Sequence, residues 1–313
     1  MTQWTEITDH ISQTTGKPFQ MAKQKSLGGG SINSACRITD ANGFSYFVKF
    51  NSAHQLPMFK MEYTDLLELQ KVQQLHIPRP VCYGKQADKS YLVTEYIALH
   101  SRGDAEVLGR ALAQMHRHTS EQFGWKQNNT IGSTPQSNQL HTNWLDFWRN
   151  ERLIPQLDML YAKGYGRVIK SAADKLLSRL DSLLAEHQPE ASLLHGDLWS
   201  GNYAFDEQGK PVIFDPALYY GDRETDLAMT ELFGGFSQTF YGAYNEAYPL
   251  DEGYSSRKTL YNLYHILNHT NLFGTGYLNQ AIFPQPGPDI ITLFSRSLII
   301  PQYRRPEDFA FSI

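Results

Sequence analysis

Asp197, Asn202 and Asp215 are three oxygen-bearing side chains on one short stretch of chain. Asp197 sits in Leu193-Leu194-His195-Gly196-Asp197-Leu198-Trp199-Ser200-Gly201-Asn202, a Gly-flanked loop. Two short apolar runs follow, Tyr203-Ala204-Phe205 and Val212-Ile213-Phe214, separated by the turn-like Asp206-Glu207-Gln208-Gly209-Lys210. That pattern predicts a β-hairpin. Asn202 and Asp215 then stand at similar distances from the turn on opposite strands, where opposed Cβ atoms lie about 4.5–5.5 Å apart. An amide oxygen and a carboxylate converging there suit Mg²⁺, a hard cation held by one or two protein groups plus phosphates and water. A further carboxylate close by, Asp197, can take the proton of an attacking hydroxyl. A base, two metal-holding groups and donors for phosphate are the parts phosphoryl transfer requires.

The elements that must position these groups differ between the two ends of the chain. Before residue 99 the pattern is strand-rich, with Phe44 to Phe50 and Tyr91 to Ile97 as β-branched and aromatic runs. One amphipathic helix is expected between Leu56 and Leu75, closed by Ile77-Pro78-Arg79-Pro80. Beyond residue 100 helices dominate: one starting after Asp104, one over Lys170 to His187 and one over Asn262 to Leu272. Gly124 to Asn143, rich in Asn, Thr, Gly, Ser and Gln, reads as a long surface loop. These features predict an α+β fold of two lobes, 1–99 with an antiparallel sheet plus helix, and 100–313 mostly helical. Residues 290–313 are a tail without functional assignment that could pack through Leu298, Ile299 and Ile300.

Composition removes several functional classes. A chain of 313 residues exceeds one ordinary core, and 41% hydrophobic content argues against long disorder. Lys and Arg number 28 against 32 Asp and Glu, a net charge of −4 without a basic run, which speaks against general nucleic-acid binding. Cys36 and Cys82 have no zinc or disulfide spacing. The opening MTQWTEITDHISQ lacks an apolar core, and no stretch of about 18 apolar residues occurs, so a cytoplasmic protein without membrane contact is expected.

The string His195-Gly196-Asp197, then Asn202, then Asp215 resembles the catalytic and metal motifs of protein kinases, in the form used by choline kinases and aminoglycoside phosphotransferases. The fuller HGDLWSGN followed by Phe214 to Phe236 is similar to the fructosamine/ketosamine-3-kinase family. Leu27 to Ile38, Phe47 to Asn51, Leu108 to Arg117, Phe123 to Trp125 and Asn262 to Tyr277 match as well, so the resemblance spans about residues 1–285. It implies a protein-kinase-like fold and ATP-dependent phosphorylation of a ketosamine sugar hydroxyl, in deglycation repair. By the same resemblance Asp197 is the catalytic base and Asn202 and Asp215 hold Mg²⁺. Lys49 binds the α- and β-phosphates and Glu62 orients it. Gly28, Gly29, Gly30 and Ser31 form the loop over the phosphates. Glu95, Tyr96 and Ile97 are the interlobe hinge that binds adenine. Trp199 lines the acceptor site, and Asp226 braces the catalytic loop.

Bland readings compete with some of these. Lys49 alone is an ordinary strand lysine, and Glu62 an ordinary helix carboxylate. His195 reads as structural. His116, His118, His265 and His269 tempt a metal assignment, yet no HExxH glutamate accompanies them. Cys36 follows the Gly-rich loop and reads as a strand thiol. Trp144, Phe147 and Trp148 read as core. Two functional alternatives remain, a kinase for an aminoglycoside- or choline-like substrate and a non-catalytic binding module on the same scaffold. The presence of Lys49, Glu62, Asp197, Asn202 and Asp215 together weighs against the second.

Overall fold

The computed structural model describes residues 3–28, 33–274 and 276–277. Gly29, Gly30 and Ser31 of the expected phosphate loop lie outside the described residues, as does the 290–313 tail. The described chain groups into two compact units. Among the described residues, the first holds those within 3–104 and 203–216; the second holds those within 105–202 and 217–277.

In the first unit, strands β1 (Met21–Leu27), β2 (Ser34–Asp40), β3 (Ser45–Ser52), β4 (Pro80–Gln86) and β5 (Lys89–Glu95) form one antiparallel sheet in the order β1-β2-β3-β5-β4. The strand expected over Phe44 to Phe50 is β3, and Val48 and Val93 meet across β3 and β5 with no exposed surface. Helix α1 (Gln3–Thr15) is a correction to the sequence reading, which expects a single helix here. Its Thr-rich sequence has weak helix propensity, but Ile7 and Ile11, four apart, fall on one face and are completely buried with Ile38 and Val48. Tertiary burial therefore decides the element. Helix α2 (Leu56–Leu69) ends before Leu75, because tightened turns take over, with the amides of Lys71 and Val72 bonded to the carbonyls three residues back. It packs Met58 and Phe59 on Leu92.

The hairpin forms as expected, Tyr203–Phe205 against Pro211–Ile213. The side chain of Asp206 fixes its turn by accepting from the amides of Gln208 and Lys210, both at 2.9 Å. The hairpin groups with the first unit through the chain just before β4 and just after β5. The His76 amide donates to the Pro211 carbonyl, and His100 and Phe205 exchange two backbone bonds of 2.8 and 2.9 Å. Gly103 lies so close to the Phe205 ring that a Cβ would sit 2.1 Å from it.

The second unit is mainly helical. Helix α3 (Ala105–His116) packs closely on the helix Gln238–Ala247, where a Cβ at Gly109 would meet the Phe240 carbonyl at 2.4 Å. The helices Gly166–Leu184 and Tyr254–Phe273 cover and extend the two segments expected from periodicity on most of their length. Trp144, Phe147 and Trp148 are core, as their pattern suggests. A three-stranded sheet sets Ala191–Leu194 between Thr119–Ser120 and Tyr219–Gly221. All four residues of that central strand are buried, and it runs directly into His195.

The segment 124–143 is not a surface loop. Asn129–Ile131 and Thr134–Gln136 form a two-stranded ribbon, and Asn129, Thr134, Gln136 and Asn138 are all buried. The amides of Asn129, Gln136 and Asn138 are buried because they satisfy one another and nearby carbonyls, which polarity alone does not reveal.

Candidate active site

In the first unit, β3 delivers Lys49 and α2 delivers Glu62. Lys49 Nζ donates to Glu62 Oε1 at 2.6 Å, with the lysine side chain 9% exposed. The same ammonium pairs with Asp215 Oδ1. Burial opposes the charge on Lys49, but Asp215 first and Glu62 second outweigh it, so its pKa is raised and it stays protonated. Burial, with the Asp215 charge added, pushes Glu62 upward against the pull of Lys49. One cation between two carboxylates leaves this trio one negative charge in excess. Asp215 is its open end: its side chain is 48% exposed, and its backbone adopts φ +59°, a left-handed conformation unusual for a residue with a Cβ. A carboxylate turned outward with surplus negative charge suits a divalent cation.

The hairpin register moves one expected relationship. Tyr203 pairs with Ile213, so Asp215 stands one residue farther from the turn than Asn202 does, and the two are not directly opposed.

At the end of β5, the Glu95 amide donates to the Arg79 carbonyl at 2.8 Å, so that N–H is not available to a nucleobase. Tyr96 carries the Arg37 guanidinium 4.2 Å above its ring. Tyr96 and Ile97 follow the strand as half-buried, irregular chain. Among the described residues, no atom lies within 4 Å of where a Cβ on Gly28 would lie.

In the second unit, the loop after the Ala191–Leu194 strand is held by its backbone. Asp226, on the helix Glu224–Leu232, accepts from the amides of His195 and Gly196, each at 2.8 Å. Gly196 has φ +81°, and a Cβ there would lie 2.1 Å from the Ala217 carbonyl oxygen. The Asp197 amide donates to His195 Nδ1 at 3.2 Å, which requires that nitrogen to be unprotonated. His195 is buried and structural rather than a proton donor at that atom. Asp197 itself is half-buried. Asn202 Nδ2 donates to the Asp197 carbonyl at 2.8 Å and to its carboxylate at 3.3 Å. With its nitrogen so committed, Oδ1 of Asn202 is the atom left to meet a cation. Trp199 is half-buried, its ring edge-on to Phe233 at 6.4 Å, and Gly201 passes so close that a Cβ would meet the indole at 2.4 Å.

Sequence reasoning missed the support behind Asp226. His116 Nε2 lies 3.3 Å from Asp226 Oδ2, its Nδ1 lies 2.8 Å from the Tyr244 hydroxyl, and Arg223 donates to that hydroxyl at 3.1 Å. The chain of bonds has one consistent direction: Tyr244 accepts from Arg223 and donates to Nδ1, so a neutral His116 donates from Nε2 to Asp226. Burial lowers the His116 pKa, in keeping with the neutral ring. Burial would raise the Asp226 pKa, but the hydrogen bonds it accepts, first from His116 and then from the Gly196 amide, hold it below the ordinary carboxylate value. The bracing of the loop by Asp226 agrees with the sequence expectation; the extension to Arg223 has no signature at short range.

The histidine pair at spacing four is not a metal site. His269 Nδ1 bonds the His265 carbonyl at 2.8 Å, and burial pushes His265 down to about 3. Another group, His187, Asp222 and Glu224, brings ligand-type atoms together. Its carboxylates are already partnered: Asp222 by His187 and the Tyr261 hydroxyl at 2.6 and 2.5 Å, Glu224 by Arg257 in two bonds of 2.7 and 2.6 Å. Cys36 is buried, and burial pushes its thiol up to about 11, a poor redox nucleophile.

A family model described as fructosamine kinase matches residues 3–283. A probable ketoamine kinase of Synechocystis sp. is 46% identical over 282 residues, 89% of this chain and 94% of that protein. The chloroplastic protein-ribulosamine 3-kinase of Arabidopsis thaliana is 41% identical over 274 residues, 86% of this chain and 83% of its own length. The crystal structure of a candidate fructosamine-3-kinase from Haemophilus somnus 129PT has TM-score 0.81 at 28% identity, covering 89% of this chain and 95% of that one. An aminoglycoside phosphotransferase and the choline kinase of Streptococcus pneumoniae, 15% and 16% identical, each have TM-score 0.57, and share the protein-kinase-like α+β fold.

Proposed function

This chain belongs to the fructosamine kinase family, and from that premise we propose that it is an ATP-dependent ketosamine 3-kinase acting on glycated amines in deglycation repair. It transfers the γ-phosphoryl group of ATP to the sugar 3-hydroxyl, giving a 3-phosphoketosamine and ADP. The observation that carries this reading is the buried Lys49–Glu62 ion pair, which holds a protonated ammonium in the first unit.

Each residue has one task. Lys49 offsets charge on the α- and β-phosphates, and Glu62 keeps its stem from wandering. Backbone groups of the Glu95–Ile97 segment bind adenine through the Glu95 carbonyl and the groups after it, since the Glu95 amide is engaged with Arg79. Gly28 to Ser31 cover the phosphates with backbone amides. Asp197 accepts the proton of the sugar hydroxyl as the O–P bond forms, and the fixed loop keeps its carboxylate aimed. Trp199 presents an indole to the acceptor. Asn202 and Asp215 would hold Mg²⁺, which supplies neutralisation of phosphate charge.

The test is ADP release from Mg-ATP with a panel of ribosylated and fructosylated amines beside an aminoglycoside and choline. Stimulation by one or more ketosamines supports the reading. Stimulation by choline or the aminoglycoside alone would overturn the substrate class and keep the kinase. No turnover with any acceptor would overturn both and favour a binding module.

A further inference from the structure

The ribbon formed by Asn129–Ile131 and Thr134–Gln136 lies outside every role assigned so far. Its polar side chains are buried and aligned on one short piece of backbone. Gln136 Nε2 donates to the Ala217 carbonyl at 3.0 Å and to Asn129 Oδ1 at 2.8 Å. Asn129 Nδ2 donates to the Leu218 carbonyl at 2.8 Å. Gln136 Oε1 accepts from the Tyr264 hydroxyl at 2.6 Å. Asn138 Nδ2 donates to Asn129 Oδ1 at 2.9 Å, and Arg152 donates to Asn138 Oδ1 at 2.8 Å. The Arg152 guanidinium is itself buried, 3.9 Å above the Tyr219 ring and 4.6 Å from that of Phe147.

Ala217 is the point where this network reaches the catalytic loop. Its amide donates to the His195 carbonyl at 2.9 Å, while its own carbonyl faces Gly196 too closely for any side chain there. Both polar groups of Ala217 are thus fixed, one by Gln136 and one by the residue two before Asp197. The Gln136 amide has no freedom to flip: its oxygen meets a hydroxyl donor and its nitrogen meets two oxygen acceptors. On the opposite side the loop is held by Asp226. The loop is therefore gripped from two faces, by a carboxylate on its amides and by an amide network on its carbonyl side.

We infer that Gln136 is a positioning residue for phosphoryl transfer, fixing the Asp197 loop through Ala217, with Tyr264 orienting the Gln136 amide. This rests on the reading of Asp197 as the base. Within this network every side-chain amide atom of Gln136 and Asn129 is engaged, and removing Gln136 leaves several partners unsatisfied. A shift of about 1 Å in a positioned catalytic group can cost about 10²-fold in rate.

The experiment replaces Gln136→Met, which keeps length and removes every polar atom, and measures kcat, ATP KM and amide exchange over 193–199. Gln156→Met is the control: Gln156 is equally buried in the same unit, and its amide bonds Asn268 and Asn271 rather than the Ala217 carbonyl. All assays run well below each variant's unfolding temperature. The expected result for Gln136→Met is kcat lowered about 10- to 100-fold, ATP KM within about twofold, and faster exchange at His195 to Asp197. Gln156→Met should lose stability with kcat kept. If Gln136→Met fails to fold, Tyr264→Phe removes only the orienting hydroxyl and should lower kcat several-fold with the same exchange signature. Unchanged exchange over 193–199, or an equal kcat in the Gln136 and Gln156 variants, overturns the inference. A wild-type enzyme inactive on ketosamines overturns the functional reading instead, and the exchange measurement still decides whether Gln136 orders the loop.

Discussion

His116 Nε2 meets Asp226 Oδ2 at 3.3 Å with both side chains sealed from solvent. The pair sits behind the loop that carries Asp197, since the same carboxylate accepts the amides of His195 and Gly196. The aim of a half-buried group is thus set by a buried one. Asp226→Asn substitutes an N–H donor where amides must be received. Leaving a buried donor unsatisfied costs about 1–3 kcal/mol. Urea unfolding of Asp226→Asn should show that loss, with kcat reduced in the fraction that stays folded; a midpoint within error of wild type would contradict the bracing role.

Acid should weaken the fold earlier than carboxylate titration alone would. His265 and His116 have folded pKa values below the unfolded histidine value of about 6.5, so the unfolded state binds more protons as pH falls. Their cost begins near that unfolded value and grows toward the folded one. For His265, at about 3 in the fold, the loss between pH 7 and pH 5 is about 2 kcal/mol. Asp226, with its pKa lowered, contributes stability present above the unfolded carboxylate value, about 3.9, and lost only below it. Unfolding midpoints measured at pH 7 and pH 5 should therefore diverge in wild type and converge by about 2 kcal/mol in His265→Phe. Equal divergence in both proteins would rule out His265 as the source.

Lys49→Met should lower kcat/KM by about 10²–10³-fold, the scale of losing one preorganised charge. It also leaves Glu62 and Asp215 without their shared cation. Glu62→Gln keeps a hydrogen-bond acceptor for Lys49 and should cost less. Steady-state kinetics in ATP for the two variants checks the order; an inverted order would detach Glu62 from the role of orienting Lys49.

Gly196→Ala is expected to be more harmful than its single methyl suggests. The position has φ +81°, and the new Cβ would fall 2.1 Å from the Ala217 oxygen. Left-handed strain of about 1 kcal/mol or more then adds to displacement of the loop. Thermal unfolding and kcat should fall together; a variant with wild-type values for both would mean that the close approach to Ala217 does not exist in solution.

Much of this was legible from residue order. Lys49 at the end of an aromatic and β-branched run, with a carboxylate on the next helix, is a strand-to-helix pair that spacing exposes. HGD, Asn202 and the hairpin were equally visible. What stayed hidden depends on partners distant in sequence. Asn129, Gln136 and Asn138 look like a solvated loop until Leu218, Ala217 and Tyr264 are seen to satisfy them. The Thr-rich α1 has a helix-poor composition and is settled by burial of Ile7 and Ile11. The one-residue offset of Asp215 from Asn202 follows from where the turn closes, at Asp206, which strand composition does not specify.

The measurement closest to the central claim compares wild type with Asp197→Asn for ADP release from Mg-ATP in the presence of a ketosamine, alongside ATP affinity. General-base catalysis contributes about 10²–10⁴-fold, so kcat should fall by that factor while ATP binds both proteins equally. A variant that releases ADP at the wild-type rate would contradict the assignment of Asp197 as the base.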